Sequence, residues 1–503
     1  MNPTHEAQLQ SIFRAHEIRQ IEKNSASQAV PPDLMARAGL AIAELARSLA
    51  GNGTSILVLA GPGNNGGDAL VAARHLKQWW YKVDLVFTGK ANKLPPDAAK
   101  AYTVWLESGS TPLEDMPEHG RWDLIIDGLF GIGLDRDLDK RHYELVKRVN
   151  ALKLPVLAID IPSGLDSETG QAFRAAIKAS HTLTFLGLKP GLLTAYGPDY
   201  CGEIHLDMLG VGPKLLPQAK GQLISREEVA SFLKPRPMNS HKGMLGSVGV
   251  LGGAESMCGA AFLAGRAALK LGAGRVYLGL LADSAPAMDA GQPELMLRST
   301  DHLFELADQL SCLVVGPGLG QSDAAYAALE TALATDLPLV LDADALNLVA
   351  THPQLGAQLR ARKAQSILTP HPAEAARLMD SNTHDIQQDR LGAALVLAGR
   401  FNSMVVLKGA GTLCALPDES WWINPTGNPG LSSAGMGDVL SGMIGAFIAQ
   451  RVNPRHATLL AVYLHGAAAD TLVRQGIGPI GLTATEVIDA ARDLINAWVY
   501  PCH

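Results

Sequence analysis

Three stretches in the first half of the chain gather amide, carboxylate and hydroxyl side chains among glycines. Gly61-Pro-Gly-Asn64-Asn65-Gly66-Gly67-Asp68 directly follows the apolar run SILVLA. Two further apolar runs lead into Asp127-Gly-Leu-Phe-Gly131-Ile132-Gly133-Leu134-Asp135-Arg136-Asp137 and Asp160-Ile-Pro-Ser163-Gly164-Leu-Asp166. Oxygen donors from three separate loops, Asn65, Asp127 and Ser163, suit a hard cation whose shell is completed by backbone carbonyls. No Cys or His lies in these loops, which disfavours a soft transition metal there. Asp160 ends an apolar strand, where partial burial would raise its pKa toward a range useful for proton transfer. Asp166 reads as a cap or loop residue.

The spacing Gly61-x-Gly63-x-x-Gly66 formally matches the dinucleotide fingerprint. The ribose-binding acid should then end the second strand, whereas Asp84 sits near the start of VDLVF. Asp68 within the loop would also repel a pyrophosphate. An ordinary NAD dehydrogenase is therefore disfavoured, and the glycines serve instead to let a ligand approach the backbone closely.

The second half carries a different set: Gly316-Pro-Gly318-Leu-Gly320, Asp342-Ala-Asp344, Thr369-Pro-His371-Pro-Ala-Glu374 and Lys408-Gly409-Ala410-Gly411-Thr412. Further on, Asn428-Pro-Gly-Leu-Ser-Ser-Ala-Gly435-Met-Gly437-Asp438 runs straight into an apolar helix. A glycine-rich turn at a helix N-terminus presents free N–H groups and a positive dipole end, which suits phosphate. No G-x-x-x-x-G-K-[ST] is present, so this is not a P-loop enzyme. Asp438, in the first helical turn, is well placed as a carboxylate. It can accept a hydroxyl proton while the amides hold charge that develops in phosphoryl transfer. His371, between two prolines at a strand end, is expected to contact ligand.

Positioning these loops requires an alternating α/β chain. In the first half, strands are expected at Ser55–Ala60, Val83–Phe87, Leu124–Asp127, Val156–Ile161, Thr182–Leu186 and Glu203–Leu206, after helices over 6–23 and 33–50. The glycine- and proline-containing segment 208–221 marks a boundary. The pattern then restarts with Val248–Leu251, Val276–Leu281, Leu313–Val315, Leu339–Leu341, Ile367–Leu368 and Met404–Leu407. A hairpin follows at Thr412–Leu416 and Trp421–Ile423, then helices near 436–450, 455–475 and 484–497. In such sheets ligands gather at the carboxyl ends of the strands, where every loop named above lies.

Composition agrees. The 503 residues are 47% hydrophobic and 18% charged, enough apolar material for two to four domains rather than a disordered chain. A net charge of −7 and the lack of a long basic run argue against a nucleic-acid or anionic-membrane surface. Five scattered cysteines (Cys201, Cys258, Cys312, Cys414, Cys502) without C-x-x-C argue against a disulfide framework or a thiolate zinc site. The start lacks an apolar leader pattern, and a cytoplasmic protein is expected.

The GPGNNGGD, IDGLFGIGL and IDIPSGLD segments, with TFLGLKPGLLTAYGPDYCG, together resemble the NAD(P)H-hydrate epimerase domain over residues 11–210. That resemblance implies interconversion of R- and S-NAD(P)HX at C6 of the hydrated nicotinamide ring. It implies that Asn64, Asn65, Gly66, Gly67, Asp68, Gly131, Ile132, Gly133, Leu134, Asp135, Arg136 and Asp137 hold substrate. Asn65, Asp127 and Ser163 would bind potassium, and Asp160 would touch the ring as acid or base. Ala69 departs from a glycine common in relatives, which a helical residue tolerates.

NSHKG, GAAFLAGRAALKLGAGRV, GPGLG, LDADALN, TPHPAEAARL, LKGAGT and SSAGMGDVLSGMI resemble the ADP-dependent NAD(P)H-hydrate dehydratase domain, a ribokinase-like fold, over 222–500. This implies dehydration of S-NAD(P)HX with ADP to give NAD(P)H, AMP and phosphate. Ala260, Gly318, His371 and Asp438 would contact NAD(P)HX. Lys408, Gly409, Ala410, Gly411, Thr412 and Gly437 would contact the nucleotide, with Asp438 as base and Mg2+ accompanying ADP. The expected architecture is thus an N-terminal Rossmann-like doubly wound domain, 1–215, followed by a ribokinase-like α/β domain, 222–500. Together they read as one bifunctional repair enzyme for NADHX and NADPHX, without nucleic-acid or membrane partners. Apolar N-terminal helices suit a symmetric homo-oligomer. The alternative is a ribokinase-like small-molecule kinase whose front half is a non-catalytic scaffold.

Overall fold

The computed structural model describes residues 10–51 and 54–500. The chain separates into two units, Met1–Gln222 and Leu223–His503.

In unit 1, α1 (Ala15–Ala26) and α2 (Leu34–Ala50) precede β1 (Ser55–Ala60), α3 (Asn64–Gln78), β2 (Lys82–Phe87) and α4 (Pro96–Glu107). β3 (Leu124–Gly128), α5 (Lys140–Leu152), β4 (Val156–Ile159), β5 (His181–Phe185) and β6 (Glu203–Asp207) follow. The strands pair in the order β2-β1-β3-β4-β5-β6, every pair parallel. Helices cover both faces, so the strands are apolar throughout rather than alternating. Ile56, Val58 and Ala60 face one buried cluster with α1, α2 and α3, while Leu57 and Leu59 face another with α5.

The strand order reverses between β1 and β3, so the loops leaving these strands diverge and open a crevice. Gly61 makes the close approach possible. Its N–H donates to the Gly128 carbonyl at 3.0 Å, and a Cβ there would collide with the Leu129 carbonyl.

Two element boundaries differ from expectation. Ser11–Ile12 is extended and pairs antiparallel with Gly221 and Gln222, so the first helix begins at Ala15 rather than residue 6. The Glu17 carboxylate accepts the Arg14 N–H at 2.8 Å and fixes that start; residues 6–9 lie outside the described residues. β4 stops at Ile159 because Asp160 turns the chain with φ 63°. Ala69 is helical and fully buried, as its methyl group requires.

Unit 2 begins its sheet with β7 (Ser247–Gly252), α6 (Cys258–Lys270), β8 (Arg275–Leu280), β9 (Met296–Ser299), β10 (Cys312–Val315) and α7 (Asp323–Ala334). β11 (Leu339–Leu341), α8 (Asp344–Thr351), α9 (Pro353–Ala361), β12 (Ser366–Leu368), α10 (Pro372–Met379), α11 (Arg390–Phe401) and β13 (Met404–Leu407) continue it. The hairpin β14 (Leu413–Ala415) and β15 (Trp421–Ile423) leads to α12 (Met436–Ala449), α13 (Pro454–Arg474) and α14 (Ala484–Val499). The order is β15-β14-β13-β12-β11-β10-β7-β8-β9, parallel except for the hairpin. The edge strand β9 was not anticipated, because MLRS is short and half polar. Among the described residues no helix is long and apolar enough to cross a membrane.

α12 is apolar on nearly every side because α6, α13 and the sheet enclose it. Gly442 is where its backbone meets α6: a Cβ there would strike the Ala264 carbonyl. Gly442→Ala should therefore destabilise unit 2 by about 1–3 kcal/mol of overpacking, read as a lower urea midpoint. Gly399→Ala, in α11 with open space around it, should stabilise it by up to about 1 kcal/mol and raise the midpoint.

Candidate functional site

In unit 1, Asn64 to Asp68 form the first turn of α3, and Asn65 lies against Gly131 from the loop after β3. Asp127 and Ser163 are fully buried and joined. The Asp127 carboxylate accepts the Ser163 hydroxyl at 2.6 Å and the Ser163 N–H at 2.8 Å. Burial pushes the Asp127 carboxyl up to about 6, against the pull of these hydrogen bonds, and no basic side chain offsets it. The Asn65 side-chain nitrogen is buried without a partner. Amide oxygen and nitrogen are assigned from partners, so this unpaired amide, the carboxylate without a basic partner and the hydroxyl are donors of the kind a hard cation takes. Gly131, Ile132 and Leu134 are partly covered, but Gly133, Asp135, Arg136 and Asp137 are exposed to solvent.

Asp160 stands beside Lys189, a residue to which the sequence reading gave no role. Lys189 is fully buried. Its ammonium donates to Asp160 Oδ1, to Thr184 Oγ1 at 2.8 Å and to the Phe185 carbonyl at 2.7 Å. Thr184 Oγ1 also donates to Asp160 Oδ1 at 3.1 Å. Parallel pairing of β4 with β5 brings the two loops together, and the left-handed backbone at Asp160 turns its carboxylate toward them. Asp68 and Glu22 complete a carboxylate group. Burial, then the charges of Asp160 and Glu22, raise Asp68 well above the ordinary range. Glu22 is raised chiefly by burial and then by Asp160. Asp166 closes its own turn, accepting from Thr169 N at 2.7 Å.

In unit 2 the carboxyl ends of β11, β12 and β13 meet the start of α12. Asp342, 2% exposed, accepts Lys408 Nζ at 2.8 Å and the Ser441 hydroxyl of α12 at 2.6 Å. Burial opposes its charge, but Lys408 and the Ser441 and Thr369 hydroxyls outweigh it and hold the carboxyl below its usual range. Lys408 in turn lies 3.9 Å from Glu374 Oε2. Gly437 sits directly against this pair. Asp438 is pushed up to about 7 by burial and then by the charge of Asp342, with Lys408 pulling the other way. Glu374 reaches about 7 for the same first reason.

His371 caps α10. Its Nδ1 accepts from Ala373 N at 3.1 Å and Glu374 N at 3.3 Å, which leaves Nε2, 3.3 Å from Glu374 Oε1, to carry the proton. Burial and then Lys408 lower its pKa, in keeping with a neutral ring. The Lys408–Thr412 turn follows β13, with Thr412 Oγ1 donating to the Gly409 carbonyl at 3.0 Å. Buried Arg390 braces it by donating to the Leu407 and Lys408 carbonyls, both at 3.3 Å. Gly318 and Ala260 adjoin one another on the neighbouring loop and helix start. Asp342, Glu374 and Ser441 were not singled out from the sequence as site residues. For Asp342 the signal was its place at a strand end and for Glu374 its place in the first turn of α10, three residues after His371; Ser441, inside an apolar helix, gave none.

Residues 248–492 match the family described as NAD(P)H-hydrate dehydratase, and residues 32–191 match that described as YjeF-related protein N-terminus. The chain is 38% identical over 495 residues to the bifunctional NAD(P)H-hydrate repair enzyme Nnr of Escherichia coli (strain K12), covering 97% of this chain and 94% of that one. It is 36% identical over 493 residues to the enzyme of the same name from Coxiella burnetii (strain RSA 493 / Nine Mile phase I), covering 96% and 99%. Among solved structures, the ADP/ATP-dependent NAD(P)H-hydrate dehydratase of Bacillus subtilis, co-crystallised with ATP/Mg2+, is 32% identical with a TM-score of 0.49. That match covers 55% of this chain and 98% of the other. With both halves matched, a kinase carrying an inert front half is not favoured.

The buried Asp160–Lys189 pair makes a stability prediction. Lys189→Met strands a carboxylate and should cost unit 1 about 3–5 kcal/mol at neutral pH. Adding Asp160→Asn should recover part of that loss in urea unfolding. Strictly additive losses would contradict the pairing.

Proposed function

The chain belongs to the bifunctional NAD(P)H-hydrate repair enzymes, and on that premise we propose how its two units divide the repair of NADHX and NADPHX. Residues 1–215 are the epimerase. Asn64, Asn65, Gly66, Gly67 and Asp68, with the Gly131–Asp137 loop, hold the hydrated dinucleotide. Asp160 moves the proton that accompanies inversion at C6, and the ammonium of Lys189, bonded to its Oδ1, holds the carboxylate in place. Potassium bound by Asn65, Asp127 and Ser163 supplies the positive charge that buried Asp127 lacks.

Residues 222–500 are the dehydratase. Lys408, Gly409, Ala410, Gly411, Thr412 and Gly437 hold ADP, while Ala260, Gly318 and His371 line the NAD(P)HX side. Asp438 takes the proton of the ring hydroxyl as that oxygen attacks the β-phosphorus of ADP and AMP leaves. The phosphorylated ring then expels phosphate from C6 with the push of the ring nitrogen lone pair, a proton leaves C5 to solvent, and the new C5=C6 double bond gives NAD(P)H. The amides at the start of α12 stabilise the transferring group. Magnesium would enter with the nucleotide, its charge shared with the phosphate oxygens. The observation that carries this reading is Asp438 itself: a carboxyl poised near 7, beside Lys408, at the head of a glycine-led helix. Unpaired Cys201, Cys258, Cys312 and Cys414 suit a cytoplasmic site of action, and a homo-oligomer remains part of the proposal.

The test is NADH formation from mixed R- and S-NADHX with ADP or ATP in potassium buffer. Wild type should convert both epimers with ADP. Asp438→Ala should slow NADH formation by about 10²–10⁴-fold. Asp160→Ala, or lithium in place of potassium, should slow only consumption of the R form. Use of the S form alone by wild type would remove the epimerase assignment, and no NADH with either nucleotide would remove both.

A further inference from the structure

At the edge of the unit 1 sheet opposite the ligand loops, β5 and β6 begin with His181 and Glu203. These two are register partners, and His205 pairs with Leu183 two residues further on. Side chains alternate along strands, so His181, Glu203 and His205 share one face. His181 Nδ1 lies 3.2 Å from His205 Nε2. Glu203 closes the triangle, with Oε2 at 3.8 Å from His181 Nδ1 and Oε1 at 3.8 Å from His205 Nε2. Among the described residues it is the one group of three His, Cys, Asp or Glu whose ligand atoms converge within 4.8 Å.

These separations fit a small tetrahedral ion. With bonds of about 2.0–2.1 Å, two ligand atoms on tetrahedral zinc stand about 3.3 Å apart. The histidine pair already has that spacing, and a small rotation of the carboxylate brings the third atom to it. Two imidazoles and a carboxylate suit zinc or a neighbouring divalent transition metal and are a poor match for magnesium or calcium. The imidazoles are 23% and 29% exposed, which provides an entry path and room for water as a fourth ligand. Glu203 and His205 stand two residues apart on one strand and His181 on its neighbour, so the backbone spacing that sets the site is the sheet's own. None of the three belongs to either proposed catalytic centre.

We propose that His181, Glu203 and His205 form a binding site for a divalent transition metal, zinc foremost, that ties edge strand β6 to β5. The test uses the full chain stripped with chelator. Calorimetry with zinc chloride should show one saturable site per chain that magnesium does not occupy. Cobalt should give the intense d–d absorption of tetrahedral coordination. His205→Gln and, independently, Glu203→Gln should weaken zinc binding by more than about tenfold, the loss that even an outer partner of a metal ligand causes. Glu203 is exposed and His205 partly exposed on an edge strand, and the metal-free melting curves of both variants should match wild type. Cys258→Ser should bind zinc as wild type does. Absence of a saturable site, or undiminished binding and an unchanged cobalt spectrum in both variants, would overturn the proposal and leave the two rings as a histidine–histidine hydrogen bond.

Discussion

The contact on which unit 2 depends is the ion pair of Lys408 with Asp342. Two charges are withdrawn from water there, and each is costly alone. Together, with the Ser441 hydroxyl on the second carboxylate oxygen, they are compensated. The pair ties the ends of β11 and β13 to the first turns of α12, and Glu374 beside Lys408 adds the head of α10. Four elements distant in sequence thereby converge on one spot, and the rest of the site is arranged around it. Gly437 is small because the Lys408 ammonium passes beside it. Asp438 is held protonatable near neutrality because burial and the neighbouring Asp342 charge both disfavour its anion.

Unit 1 solves the same problem with other residues. Lys189 is the buried ammonium and Asp160 its carboxylate, again at the carboxyl ends of parallel strands. The difference lies in Asp127, which is buried with hydroxyl and amide donors but no lysine. One unit thus carries a carboxylate compensated by a lysine and another held by hydrogen bonds alone. In unit 2 the positive end of α12 faces the ligand edge, which suits the anionic groups of a nucleotide.

Much of this was legible in the sequence because glycine and proline punctuate the loops. GPGNNGGD, IDIPSGLD, LKGAGT and SSAGMGDV each follow an apolar run or open a helix, so Asp160, Lys408 and Asp438 stood out by position. What escaped depends on pairing across the sheet. Lys189 is 29 residues from Asp160, Asp342 is 66 from Lys408, and Ser441 is 99 from Asp342. No local pattern reports such contacts; the order of the strands and the packing of α12 on the sheet create them. Lys189 in particular sits next to a proline in an apolar stretch, where a lysine usually reads as surface. The first helix was read too early because Ser11 and Ile12 are taken up by an extended pairing that periodicity does not register.

On this reading Asp438 works as a base whose ionisation is set first by burial and then by the charge of Asp342. The most direct test is the pH dependence of kcat/KM for S-NADHX with ADP, since this ratio reports groups of the free enzyme. A base raised to about 7 is inactive when protonated, so the rate should climb as pH rises through about 7 and level above it. Removing the Asp342 charge as Asp342→Asn should move the climbing limb to lower pH. A limb in the ordinary carboxylate range near 4, or a rate that falls as pH rises through 7, would contradict the account.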